Sequence, residues 1–287
     1  MPSGRAEWWA VAKAIYGRFS EVQVTDRAAA QTYYSILSLL PALLVIVSLL
    51  ALLGTYPDTY QSIINTLRDA APGTAVNTID SALRDALHGR GNAGVLLVVG
   101  LALAIYSASG AMGAAMRSLE AINRVQRERS FLPNLGVRLG LTLLVTLLVL
   151  IAFMAVVIAG PLFGAIADAA GFPSVIAGLV GYLRWPVGVA ALLTAFAIVY
   201  ALGPRRTPRG DDRSLKSVLP GAAVGTALWF AASLLFTLYT SHFSSYDRTY
   251  GTLGAVIVLL IWLWLGNMAF LVGALFNAEG HRVVDED

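Results

Sequence analysis

The sequence predicts an all-α, polytopic membrane protein with six transmembrane helices, short accessory amphipathic helices and both termini in the cytoplasm. Three observations carry that expectation. Hydrophobic residues make up 57% of the 287 and charged residues only 13%, about half the charged share of a soluble domain, and mean hydropathy is +0.70. The charges are confined to short segments that separate long uncharged runs. The basic residues are asymmetric: with six spans and cytoplasmic ends, fifteen of the 20 lysines and arginines fall inside, and only Arg68, Arg84, Arg90, Arg184 and Arg248 fall outside, as the positive-inside rule requires.

The chain reads as a single membrane domain over 1–287. Residues 6–20 place Trp8, Ala12, Ile15, Tyr16 and Phe19 on one helical face, with Lys13 and Arg18 off it. That pattern suits a helix in the cytoplasmic interface, or equally one packed on the base of the bundle. Thr25 and Asp26 are able to cap the next helix. The first span, about 30–54, lies in a run uncharged from Ala28 to Pro57, with Tyr33, Tyr34, Ser35 and Ser38 in its first turns. Pro41 inside it frees a carbonyl one turn back and predicts a kink beside that polar cluster.

Residues 58–88 differ. Tyr60, Ile63, Ile64 and Leu67 share one face, Pro72-Gly73 breaks the chain, and Val76, Ile79, Leu83 and Leu87 share another. An external pair of amphipathic helices is expected, too polar to cross. The second span, 93–116, contains YSASGAMGAAM, where Ser109 and Gly113, and Ala111 and Ala115, are small residues four apart that allow close helix approach. Arg117, Glu120, Arg124, Arg127, Glu128 and Arg129 follow as an expected charged cytoplasmic loop. The third span, 138–160, is apolar nearly all round and ends at GPLFG, so it is the plainest lipid-facing candidate. The fourth, 185–203, is introduced by Arg184-Trp185-Pro186. The fifth, 217–240, follows a basic segment in which Asp211-Asp212 is expected to cap the helix, and the sixth covers 250–277.

Several chemistries are excluded. Without cysteine there is no disulfide, thiol nucleophile or thiolate metal site. His88, His242 and His281 lie in separate connecting segments with no ligand spacing, so no metal site is expected. No GxSxG motif or phosphate loop occurs, and every acid lies at or beyond a helix end, so no buried carboxylate relay is expected. The reading is a non-enzyme without cofactor. The pI of 9.3 reflects positive-inside loops rather than a nucleic-acid site.

What remains is uncharged polarity within spans one, two, five and six, expected to line a polar cavity, with arginines and aromatic rings at the rims. The candidate binding residues are Tyr33, Tyr34, Ser38, Tyr106, Ser109, Arg117, Arg184, Tyr239, Tyr246, Arg248, Tyr250 and Asn267. Asn267 must meet another helix or the interior, because a lone amide in hydrocarbon is costly. Expected partners are membrane lipids and an anionic amphiphile. A secondary transporter of a small solute and a non-transporting envelope scaffold are the alternatives, and oligomeric state is left open.

Several segments together carry a resemblance: DRAAAQTYYSILSLLPALL from Asp26, YSASGAM from Tyr106, Asn123, RWP at Arg184, LPGA at Leu219 and FTLYTSHFSSYDRTYGTLGAVIVLLIWLW from Phe236. Over roughly residues 25–279 the chain resembles the YihY/BrkB family of bacterial inner-membrane proteins. The resemblance implies a six-span fold in the bacterial cytoplasmic membrane. It also implies transport, with lipid or envelope-glycolipid export among the suggestions. Family names mention ribonuclease BN and a serum-resistance factor, but this sequence lacks an acidic metal cluster to support a nuclease. The family pattern Gly-Ala-Glu-Leu near the end of the last span reads Gly273-Ala274-Leu275-Phe276 here, so the glutamate is absent unless Glu279, one turn on, replaces it.

Overall fold

The structure, a computed structural model, describes residues 5–52, 93–125, 131–153, 174–204, 214–242 and 252–286. Every regular element among them is an α-helix: α1 (Arg5–Glu21), α2 (Val24–Leu52), α3 (Ala93–Ile122), α4 (Phe131–Phe153), α5 (Ser174–Leu202), α6 (Leu215–His242) and α7 (Thr252–Glu286). Among the described residues, four helical stretches are long and apolar enough to cross a membrane: Val98–Ile122, Leu132–Val149, Leu215–Tyr239 and Val256–Gly280; Pro186–Leu202 is a shorter apolar helix. α2 is helical straight through Pro41. The expected 58–88 helices lie outside the described residues.

Local chemistry moves several expected boundaries. α2 starts at Val24, so Thr25 and Asp26 sit in its first turn rather than capping it. The preceding residue is Gln23, left-handed at φ 54°, whose carbonyl accepts the Arg27 amide at 3.1 Å. Asp26 still complements the positive helix end. Arg117 and Glu120 are helical, because α3 runs on to Ile122. It closes where Val125 N donates to Glu120 O (2.9 Å) and Arg124 N to Ala121 O (3.2 Å), a Schellman pattern. Arg184 likewise lies inside α5, which begins at Ser174 and carries Pro186 within it. Ser214 caps α6, its hydroxyl accepting Ser217 N at 3.3 Å; Asp211 and Asp212 lie outside the described residues.

The contacts divide the chain into two compact units, Met1–Arg27 with Ala115–Phe230 and Met268–Asp287, and Ala28–Ala114 with Ala231–Asn267. In the first unit, α4 packs on α5 while Leu143, Leu147 and Val149 stay exposed, matching the lipid-facing character expected of that span. Its tightest contact joins α6 and α7. A Cβ on Gly221 would strike the Gly273 carbonyl and the Asn277 amide, and one on Gly273 would strike the Gly221 carbonyl. Asn277 completes the seam: its Oδ1 accepts Gly221 N at 2.7 Å and its Nδ2 donates to Val218 O at 2.9 Å. Pro220 lies between those two residues, where a proline ring disturbs the helical ladder, and a neighbouring helix supplies the missing partners. Tyr200 donates its hydroxyl to Phe270 O across the same core, its ring 4.9 Å from that of Phe270.

The second unit holds α2, the first part of α3, the end of α6 and the start of α7. Gly110 admits the Tyr34 ring, which a Cβ there would meet at 2.8 Å. A close approach thus occurs within YSASGAMGAAM at Gly110, a residue outside the two expected pairs. Trp262 Nε1 donates to Ser233 Oγ at 3.1 Å and ties α7 to α6.

Candidate functional site

Asn267 has the interhelical partner its chemistry demands: Nδ2 donates to Thr32 Oγ1 at 3.0 Å, and Thr32 Oγ1 donates to Ala28 O at 2.8 Å. The expected serines turn inward on their own helices. Ser38 Oγ donates to Ser35 O at 2.7 Å, Ser35 Oγ to Gln31 O at 3.0 Å and Ser109 Oγ to Tyr106 O at 2.7 Å. Such back-bonding satisfies a hydroxyl in hydrocarbon at little cost. It leaves Ser38 and Ser109 as poor donors to a ligand.

The phenols behave differently. Tyr34 is half-buried against Gly110, but Tyr33 is 61% exposed, Tyr106 74% and Tyr239 52%. The Tyr33 ring meets Tyr34 edge-on at 5.4 Å, and Tyr106 is one turn before Gly110 on the helix that Tyr34 packs against. Among the described residues the Tyr33 and Tyr106 hydroxyls have no hydrogen-bond partner. These rings lie on exposed surface. Of the rim residues, Arg117 is exposed on α3, and Arg184 is within α5, its side chain outside the description. Tyr246, Arg248 and Tyr250 lie outside the described residues. Pro41 is within α2, its ring likewise not described.

The first unit holds a polar assembly that periodicity missed. Arg18 lies on the packed face of α1 with Val11 and Val22, while Tyr16 is 84% exposed. Of the face expected from Trp8 to Phe19, Ala12 and Tyr16 are exposed and Ile15 and Phe19 half-buried. Arg18 Nε donates to Glu279 Oε1 at 3.2 Å, both side chains under 10% exposed. Its Nη2 donates to Ile122 O at 3.1 Å, and its Nη1 pairs with Glu21 at 2.5 Å. One guanidinium thus joins α1, the end of α3 and the end of α7. The Glu279 carboxylate meets Arg282 at 3.5 Å on its other oxygen, and Leu275 is fully buried. Glu279, one turn beyond Leu275, is a buried carboxylate in the last turns of α7. Beside this assembly lies a cleft of about 400 Å³ lined by Arg18, Glu21, Val22, Arg27, Ala121, Arg124 and Val125. The hydrogen bond from Arg18 holds the Glu21 carboxyl below its ordinary value, with Arg124 and Arg282 adding to it. No group of three or more His, Asp or Glu able to hold a metal occurs among the described residues.

Residues 15–287 match the family described as Virulence factor BrkB. The chain is 30% identical over 270 residues to a ribonuclease-like protein, YfkH, of Bacillus subtilis, covering 94% of each. It is 29% identical to a UPF0761 membrane protein of Alkalilimnicola ehrlichii, covering 91% of this chain but only 56% of that protein. It is 24% identical to another, PSHAa0171 of Pseudoalteromonas translucida, covering 94% and 85%. No solved structure matches.

Proposed function

The chain belongs to the BrkB family of membrane proteins, and from that premise we propose that it is a six-span protein of the bacterial inner membrane that binds an anionic amphiphile within the bilayer and moves it across. The observation that carries the reading is the pair of exposed phenols, Tyr33 and Tyr106, near Thr32, Ser35, Ser38 and Ser109, whose hydroxyls are already engaged on their own helices. A hydroxyl donor in hydrocarbon gains free energy from an acceptor, and the ester and phosphate oxygens of a lipid are acceptors that reach it laterally. The tail stays in the bilayer, so no enclosed chamber is required. Tyr239, also exposed, belongs to the same second unit. No step of this reading is catalytic.

The test is transfer of a fluorescent anionic lipid between leaflets of reconstituted vesicles, with and without an imposed proton gradient or membrane potential. Faster transfer than in protein-free vesicles, slowed several-fold by Tyr33→Phe with Tyr106→Phe, is expected. Transfer equal to protein-free vesicles under all three conditions counts against it. The orientation has its own test, since no native cysteine reacts. Single cysteines at Asn77 and Ser244 should label with impermeant maleimide in spheroplasts and one at Thr207 should not; labelling at Thr207 reverses the topology.

A further inference from the structure

We propose that the cleft bounded by the ends of α1 and α3 and the start of α2 is a phosphate-binding site, with Arg27 and Arg124 as the ligand-holding cations. The site is distinct from the phenols and stands whether or not the protein moves an amphiphile. Its volume, about 400 Å³, is that of a small-ligand pocket, and three guanidiniums line it against one carboxylate.

The protein's own acceptors there are already filled. Glu21 is paired with Arg18 and is also attracted by Arg124, but one carboxylate against three guanidiniums leaves the cleft lining net positive. The α3 carbonyls are closed by the Val125 and Arg124 amides, by Asn123 Nδ2 on Leu119 O at 2.7 Å and by Arg18 on Ile122 O. The α1 end is closed by Arg27 Nε on Val22 O at 2.7 Å and by Gln23 N on Ser20 O at 3.0 Å. Arg27 spends one nitrogen on this bond, which fixes its guanidinium plane, and its Nη donors have no partner among the described residues. Arg124 is exposed and left-handed at φ 54°, a position that glycine usually fills because a Cβ there is sterically strained. An arginine at that position brings a cation to the cleft that the helix end does not need. Two guanidiniums with donors to spare suit a tetrahedral, doubly charged oxyanion, which accepts parallel hydrogen bonds from each fork. The ligand class is therefore a phosphate monoester, carried by a lipid headgroup or by a soluble metabolite.

The experiment is titration calorimetry of the full chain in neutral detergent at low ionic strength, using inorganic phosphate, glycerol 3-phosphate and dioctanoyl phosphatidate. Saturable phosphate binding is expected. Arg27→Gln and Arg124→Gln should each weaken it about tenfold, roughly one charge-assisted contact. Lysine at either position should recover part of the loss, and Lys216→Gln, at an exposed position on α6, should leave binding unchanged. Thermal midpoints of the variants separate lost binding from lost folding; Arg18 is left intact because it holds helices together. Tyr33→Phe with Tyr106→Phe should not alter phosphate binding, so failure of the amphiphile reading leaves this result standing. Tighter binding of phosphatidate than glycerol 3-phosphate supports the site with a lipid source, and equal binding supports it with a soluble one. Absent phosphate binding, or affinity that neither glutamine variant changes, overturns the proposal.

Discussion

Replacing Arg18 by methionine keeps the apolar stem of the side chain and removes its charge and its three contacts. Glu279, at 5% exposure, then retains, among the described residues, Arg282 at 3.5 Å, and the Ile122 carbonyl loses a charge-assisted donor. Removing one partner of a buried ion pair typically costs about 3–5 kcal/mol. The half-exposed Arg282 relieves part of that, which places Arg18→Met near 3 kcal/mol. The reverse change is milder. Glu279→Leu leaves Arg18 with Glu21 and the Ile122 carbonyl, so the loss should be about 1–3 kcal/mol. The double variant removes both charges and should cost less than the two single losses together, by about 1.5–3 kcal/mol. The assay is equilibrium unfolding in mixed micelles followed by tryptophan fluorescence, with the four proteins forming a double-mutant cycle. Additive losses, or a loss below about 0.5 kcal/mol for Arg18→Met, would refute the idea that this guanidinium ties α1 to α3 and α7.

Three more outcomes are expected. Asn267→Leu and Thr32→Val should each cost about 0.5–2 kcal/mol, and together no more than slightly above either alone; full additivity in the same unfolding assay would deny the 3.0 Å bond. Gly221→Ala forces a methyl into the Gly273 carbonyl and the Asn277 amide, and should destabilise by about 1–3 kcal/mol, whereas Gly140→Ala, with open space around it, should not. The Glu21 carboxyl is held below its ordinary value by Arg18, so its contribution is present above the ordinary glutamate range and disappears as pH falls through the lowered value. Thermal midpoints of wild type and Glu21→Gln should therefore converge between about pH 6 and about pH 3; a constant difference would remove Glu21 from the pH response.

The uncharged runs overlap α2, α3, α4, α6 and α7, because in a bilayer both charge and unpaired backbone are excluded from the core. Asn267 was legible for the same reason, since a lone amide there must find a partner. Helix ends were harder: Arg117 and Arg184 look like boundaries by charge, yet α3 and α5 continue through them. A helix is free to continue into the interface, where charge is solvated. Arg18 was the largest miss. Helical periodicity assigns a cation to the wet face, and only a partner 261 positions away, Glu279, makes its burial tolerable. The same limit hid Asn277, whose amide serves the backbone around Pro220 in another helix. A proline within α6 and an amide within the last turns of α7 were both visible, but their proximity was not. Tyr33, Tyr106 and Tyr239 were legible as polar groups in apolar helices, while their separation from the back-bonded serines required side-chain positions.

The amphiphile reading is tested most directly by the lipid that the protein retains. Purified from membranes of known composition and examined by native mass spectrometry in matched detergent, the wild-type chain should carry anionic lipid enriched several-fold over its bulk share. Tyr33→Phe with Tyr106→Phe should lower that enrichment while leaving the thermal midpoint unchanged. Anionic and zwitterionic lipids retained in their bulk ratio, by wild type and variant alike, would contradict the account.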